Sequence, residues 1–324
     1  LNRLLGPRDH ASRFLHLRDV ARRVDYWPYA SRLEASLLQY SLARRHFPET
    51  YSQLIKLRQP AYVRLLLSNA FPRMQVTTRW GAGKSLYYGP FPTRAAAEQY
   101  EEGVLDLFQI RRCQEDLTPA QNHPGCVYGE MNKCLRPCQL VVSAEEYGGE
   151  TDRVRAFLES DGQSLLDSVR AARDRFSEEM EFEEAARTHK RWERVAAAAQ
   201  ARGDLATNAQ QLCGVAVVPS AQPEHVGLWF FEDGCWRAGA QLSLAVEEGK
   251  PAPMDRRLKE LAAALPPASR ISLRDRQEHQ ALLTAWYFSN WREGEWVSVE
   301  SIGHLPYRRL VNAVHRVATG TGSE

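Results

Sequence analysis

Apolar positions along residues 31–46 recur at Leu33, Leu37, Leu38 and Leu42, one face of a helix, and Pro48 closes the pattern. A similar pattern predicts a helix over 11–25. Beyond Pro60 the period shortens. Residues 63–67 and 74–78 read as short strands with a turn over 69–72, and a third apolar run at 86–91 follows a glycine-bearing turn at 80–85. A helix is expected from Arg94 to about Phe108, after which 113–138 shows little periodicity. Two helical patterns, 152–177 and 182–202, meet near Met180 and predict a helical hairpin, with 203–211 as a linker. The last third opens with strands at 213–218, 225–231 and 235–244, the latter two hinged at Asp233-Gly234, a strong hairpin signal. Helices are predicted at 255–265, 275–291 and 306–317.

Composition changes little in this picture. The 324 residues are 44% hydrophobic and 25% charged, which excludes a disordered or fibrous chain. No run of about 18 apolar residues occurs, so no membrane span is expected. No charged and apolar leader follows Leu1, which points to the cytoplasm. Net charge is +2, but residues 1–112 hold 18 Lys/Arg against 9 Asp/Glu, the part most suited to meet a polyanion.

The aperiodic stretch carries the sharpest constellation, Cys113-x12-Cys126-x7-Cys134-x3-Cys138. Basic neighbours Arg111, Arg112, Lys133 and Arg136 are expected to favour thiolates, and in a chain without a secretory leader metal is the better expectation than disulfides. Zinc sites usually pair cysteines two to four residues apart, which only the second pair approaches, whereas a four-thiolate iron–sulfur cluster tolerates irregular spacing. The residues alone point to a bound metal group and leave an iron–sulfur cluster and zinc both open.

Several stretches taken together resemble UvrC, the endonuclease subunit of bacterial nucleotide-excision repair. They are Leu54-Ile55-Lys56 with Pro60 and Tyr62, Tyr87-Tyr88-Gly89-Pro90-Phe91, Ile110-Arg111-Arg112-Cys113, Lys133-Cys134-Leu135-Arg136-Pro137-Cys138 and Phe182-Glu183-Glu184-Ala185-Ala186-Arg187. The resemblance covers about residues 1–202 in the family's own order. It implies a GIY-YIG nuclease domain that cuts one DNA strand with Mg²⁺ or Mn²⁺, the cysteine region as an iron–sulfur site, and a UVR hairpin that docks on UvrB. Phe182, Glu183, Glu184 and Ala186 are then the partner-binding candidates, and Arg58, Lys84, Arg111 and Arg112 the candidates for contacting damaged double-stranded DNA.

Departures from the family pattern fall on the catalytic set. Asn2-Arg3-Leu4 resembles the segment bearing the active-site arginine, making Arg3 the catalytic candidate, but the tyrosine expected four residues on falls at Pro7 and the tyrosine-bearing strands have no counterpart. The metal carboxylate falls at Gln39 in one register and at Tyr51 in another. An amide oxygen is a much weaker ligand for a hard divalent ion than a carboxylate, so a weak or inactive nuclease is expected, with Glu34 or Glu49 as off-face substitutes. The function implied is UvrC-like repair with metal-dependent incision; the alternative is a non-cutting adaptor that holds partner and DNA.

Gly81-Ala82-Gly83-Lys84-Ser85 looks like the end of a phosphate-binding loop, but it lacks the leading glycine and the following helix, so ATP is not expected. Trp286, Tyr287, Trp291 and Trp296 have spacings that favour a core over base stacking. The expected fold is α+β: a truncated GIY-YIG-like small sheet with helices (1–70), a connector with a cysteine-rich metal knot (71–150), the helical hairpin (151–202) and a C-terminal mixed α+β module (208–324).

Overall fold

The computed structural model describes residues 20–81, 83–245, 253–266 and 271–320. Arg3, Pro7 and most of the helix expected over 11–25 lie outside these. Residues 21–29 form no regular element, which corrects the end of that expected helix.

Helix α1 (Arg32–His46) begins where the Ser31 hydroxyl accepts hydrogen bonds from the Leu33 and Glu34 amides, at 3.1 and 3.4 Å. Its buried face is Leu33, Leu37, Tyr40 and Ala43, a cleaner 3.6-residue repeat than the leucines alone suggested; Leu38 and Leu42 stand beside it, half-buried. After a single turn, α2 (Tyr51–Leu54), the chain enters the first sheet: β1 (Ala61–Leu66), β2 (Arg73–Thr77), β3 (Ser85–Phe91) and, far along the sequence, β4 (Thr207–Asn208). The order is β2-β1-β3-β4, all antiparallel. The linker expected at 203–211 thus supplies an edge strand, pairing Tyr88 with Asn208 and Gly89 with Thr207.

Helix α3 (Arg94–Leu105) packs on this sheet through Ala97, Tyr100 and Val104. After the cysteine region come α5 (Ala144–Glu159), α6 (Gln163–Glu178) and α7 (Phe182–Gln200), with a short α4 (Val127–Glu130) inside that region. The single helix expected over 152–177 is therefore two. Asp161 and Gly162 both adopt the left-handed conformation (φ 53° and 91°), and a Cβ on Gly162 would lie 2.7 Å from the Ala199 Cβ, so the chain turns tightly under the base of α7.

The second sheet runs β7 (Cys235–Ser243), β6 (His225–Glu232), β5 (Gly214–Pro219), β8 (Glu295–Ser298), again antiparallel. Asp233 and Gly234 (φ 50° and 76°) make the two-residue turn the sequence announced. β5 is covered on both faces, which explains its unbroken apolar run. Ala216 and Val218 face α1 and helix α9 (Leu273–Tyr287), while Val215 and Val217 face α8 (Met254–Ala263) and α10 (Tyr307–Thr319). α9 also reaches the first sheet, where the Tyr62 hydroxyl donates to Gln280 Oε1 at 2.9 Å. The molecule is thus mixed α+β with two small antiparallel sheets. The interval 1–70 contributes α1 to the second sheet and β1 to the first.

Candidate functional site

The cysteine region hangs between α3 and α5 as a loop with little regular structure. Backbone bonds from Leu135 N to Gln109 O (3.0 Å) and from Ala120 N to Cys138 O (2.9 Å) fold it back on itself, and Asn132, Arg136 and Leu140 all take left-handed conformations. At its root lies Arg111, 1% exposed. Its guanidinium donates to Phe71 O (2.9 Å), Glu115 O (2.8 Å) and Cys113 Sγ (3.4 Å), and its amide donates to the Tyr147 hydroxyl at 2.9 Å. Arg111 is a strut of the loop and is withdrawn from the DNA-contacting candidates by its burial. Arg112 is similarly occupied: its Nη2 donates to Leu105 O and to Asp106, each at 2.7 Å, and Lys133 joins Asp106 at 3.0 Å.

All four cysteines are free thiols; Cys134 and Cys138 are buried, Cys113 half-buried and Cys126 exposed. They lie close enough to act on one another electrostatically. Burial pushes the Cys134 thiol up to about 11, helped by the other three cysteines, and raises Cys138 as well. This corrects the expectation of basic neighbours favouring thiolates there: Arg112 and Lys133 spend their charge on Asp106. The donor set suits a thiolate-held metal group, and its positive charge would offset the desolvation. Yet among the described residues no three Cys, His, Asp or Glu side chains gather at ligand spacing.

The hairpin of α6 and α7 divides into a packed base and a bare tip. Val169, Val195, Ala198 and Ala199 are buried at the base, whereas no residue from 170 to 190 is. At the tip Met180 (φ 59°) is 75% exposed and Phe182 66%, with Glu183 and Glu184 in the first turn of α7 and Glu184 bonded to Arg187 at 2.5 Å. Ala186 is exposed on the same turn. The tip presents two large apolar side chains without packing partners of their own, and the four partner-binding candidates sit on it.

The positions that would carry the nuclease metal are not brought together. Gln39 points from the exposed side of α1, and Glu49 is exposed in the following turn. Tyr51 is buried and donates its hydroxyl to both oxygens of Glu278, at 2.9 and 3.0 Å. Glu278 also accepts from Tyr40 (2.7 Å) and Arg274 (2.8 Å), and so is saturated. Sequence reasoning misses this junction, because nothing in α1 foretells a carboxylate more than 200 residues away.

Of the DNA candidates, Arg58 and Lys84 stay exposed, joined by Lys56 and Arg79; none of the four has an acidic partner among the described residues. Lys84 lies in the turn between β2 and β3, with a strand and not a helix after it. Trp286 is buried, and Trp296 packs on Phe231 and Trp236.

Among known proteins, residues 62–157 match the model of the UvrC/Cho excinuclease middle domain, a stretch from β1 through most of α5. The chain is also similar to the UvrABC system protein C of several bacteria. It is 27% identical to that of Lachnospira eligens over 234 residues (71% of this chain, 38% of the relative). It is 32% identical to that of Desulfitobacterium hafniense (48% and 24%) and 33% to that of Oleidesulfovibrio alaskensis (47% and 22%). The chain spans from about a fifth to two-fifths of the length of these curated relatives. No solved structure matches it.

Proposed function

We propose that this chain works in nucleotide-excision repair as a UvrC-like protein, docking on a UvrB-type partner through its hairpin and holding damaged duplex DNA on its basic surface. One observation carries the reading: a middle-domain match whose sheet and helices support a hairpin with an unpacked apolar tip. Two helices bury little area by themselves, so a bare tip gains most by pairing with a second hairpin. Phe182→Ala should therefore weaken capture of a UvrB-type protein while leaving the melting temperature unchanged. Undiminished capture by a folded variant would reject the docking role.

Cys113, Cys126, Cys134 and Cys138 are the proposed ligands of a 4Fe-4S cluster, with zinc as the alternative. Such a group would tie the loop together by charge and covalent geometry, and Arg111 would anchor its root. Protein purified under air should be brown with broad absorbance near ~400 nm if the cluster is iron–sulfur. Colourless protein holding one zinc per chain would transfer the site to zinc.

Within this reading, adaptor and incising enzyme differ at one position. Gln39 and Tyr51 favour the adaptor, since neither is a carboxylate and Tyr51 already serves Glu278. Incubation with damaged duplex and Mg²⁺ or Mn²⁺ should bind DNA without nicking it. Metal-dependent nicks that vanish in Arg3→Ala would overturn the adaptor in favour of incision.

A further inference from the structure

A cavity of about 490 Å³ opens where residues 27–41 meet β6 and β7; Trp27, Tyr29, Glu34, Trp229, Gln241 and His279 are among its lining. Its size is that of small-molecule sites. The two strands are cleared for it. Gly227 pairs across the sheet with Gln241, and Trp229 with Gly239. A Cβ on Gly227 would lie 2.9 Å from Glu34 Oε1, and one on Gly239 would lie 2.8 Å from the Trp229 indole. Glycine at both places gives the carboxylate and the ring their room.

Glu34 Oε1 accepts from the Trp229 indole N–H and the Gln241 amide, each at 3.3 Å. No cation pairs with Glu34 among the described residues. Arg237, which also lines the cavity, is tied to the Glu232 carboxylate and the Pro266 carbonyl. Burial holds His279 neutral, and its Nδ1 is occupied by the Trp236 amide at 3.0 Å. Of the charged side chains in the lining, Arg237 is thus spent on Glu232, and Glu34 is left without a counter-charge among the described residues. Trp27 and Tyr29 are half exposed, and neither they nor Trp229 makes a ring–ring contact among the described residues. Half-exposed rings at the rim and a carboxylate without a cation call for a planar ligand rich in N–H donors. The volume exceeds what a lone ammonium or guanidinium group fills.

Among the bases, guanine alone presents two adjacent donor groups, N1–H and the N2 amine. Adenine and cytosine set a ring-nitrogen acceptor beside their amine, which a carboxylate repels. We propose that this cavity binds a guanine base, stacked on the half-exposed Trp27 ring at the rim with its N1–H and N2 amine on Glu34. The site is separate from hairpin and cysteine loop, and the proposal does not depend on the repair reading, because neither partner nor duplex enters the test.

The test titrates the intact chain with dGMP, dAMP and dCMP, and with choline and arginine as cation controls, reading tryptophan fluorescence and heat. dGMP should give saturable quenching and bind at least about tenfold more tightly than dAMP or dCMP. Glu34→Gln should weaken dGMP about tenfold, and Trp27→Ala, on the half-exposed rim, should remove most of the quenching; both should keep the wild-type circular dichroism. Failure of dGMP to saturate, equal affinity for dAMP, or dGMP binding untouched in folded Glu34→Gln would each overturn the proposal. So would choline or arginine binding more tightly than dGMP. Nucleotide discrimination by the unaltered protein decides the matter even where a variant does not fold.

Discussion

Glu278 shows how much one residue carries here. Its carboxylate gathers the Tyr40 and Tyr51 hydroxyls and Arg274, while Arg44 donates to Tyr40 and pairs with Asp275 at 2.7 Å. Burial, then Glu278 itself, pushes both tyrosines above their usual range, so they remain donors at any physiological pH. Glu278→Ala strands two hydroxyls and should cost roughly 3 kcal/mol, read as a fall in urea midpoint. Next to it, His279 is lowered by burial to about 4. Its unfolded counterpart takes up a proton first as pH falls, so stability is complete above about pH 6.5 and is lost progressively towards pH 4. The loss should approach roughly 3 kcal/mol, and His279→Asn should flatten that part of the curve. Arg111 makes a sharp contrast with Arg58. Arg111→Ala should destabilise the fold by about 3 kcal/mol, whereas Arg58→Ala should leave it unchanged and lower the salt slope of DNA binding by about one. In the sequence the two arginines look alike, since burial is decided by the Phe71 and Glu115 carbonyls that surround one of them.

Among the elements, those with local signals are legible in the chain itself. Strands β1, β2 and β3 of the first sheet, the Asp233-Gly234 hairpin and the α6–α7 turn at Met180 stand within a few residues of their expected places. Elements defined by distant partners are not legible in that way. β4 has two residues and exists only because β3 offers an unpaired edge, and β8 is a short strand laid along β5. The split between α5 and α6 does have a signal, the Asp161-Gly162 dipeptide, outweighed by helical periodicity on both sides. That turn gives its own prediction. Gly162→Ala places a methyl against Ala199 at a left-handed position and should cost about 1–3 kcal/mol, measurable as a lower melting temperature. Phe182→Ala, at the far end of the same hairpin, should change stability by less than about 0.5 kcal/mol. A hairpin sensitive at its base and indifferent at its tip is built as a presented surface. The reverse pattern would mean that the tip packs on the chain itself.

For the whole molecule, the two sheets are joined by more than the connecting segment. α1, early in the chain, is buried on the second sheet, α9 touches both sheets, and β4 closes the first sheet only when 203–211 returns to it. An apolar face in a sequence says that something covers it and leaves open what; Leu33 and Leu37 alone do not assign α1 to β5 and β6. The same limit applies to the cavity, whose walls come from α1, the segment before it, residues 220–222, two strands near residue 230 and α9. The sequence divides naturally at about 202, yet a cut there would uncover Leu33, Leu37 and Tyr40 and free the β3 edge at Tyr88 and Gly89. Exposing each such buried side chain costs about 1.5–3 kcal/mol, enough together to exhaust the stability of an ordinary domain. Residues 1–202 expressed alone should therefore bind a hydrophobic dye and melt without a sharp transition, whereas the full chain melts in one. A well-dispersed 1–202 fragment with a cooperative transition would show instead that the first sheet, its helices and the hairpin stand independently, and that α1 has another surface on which to rest.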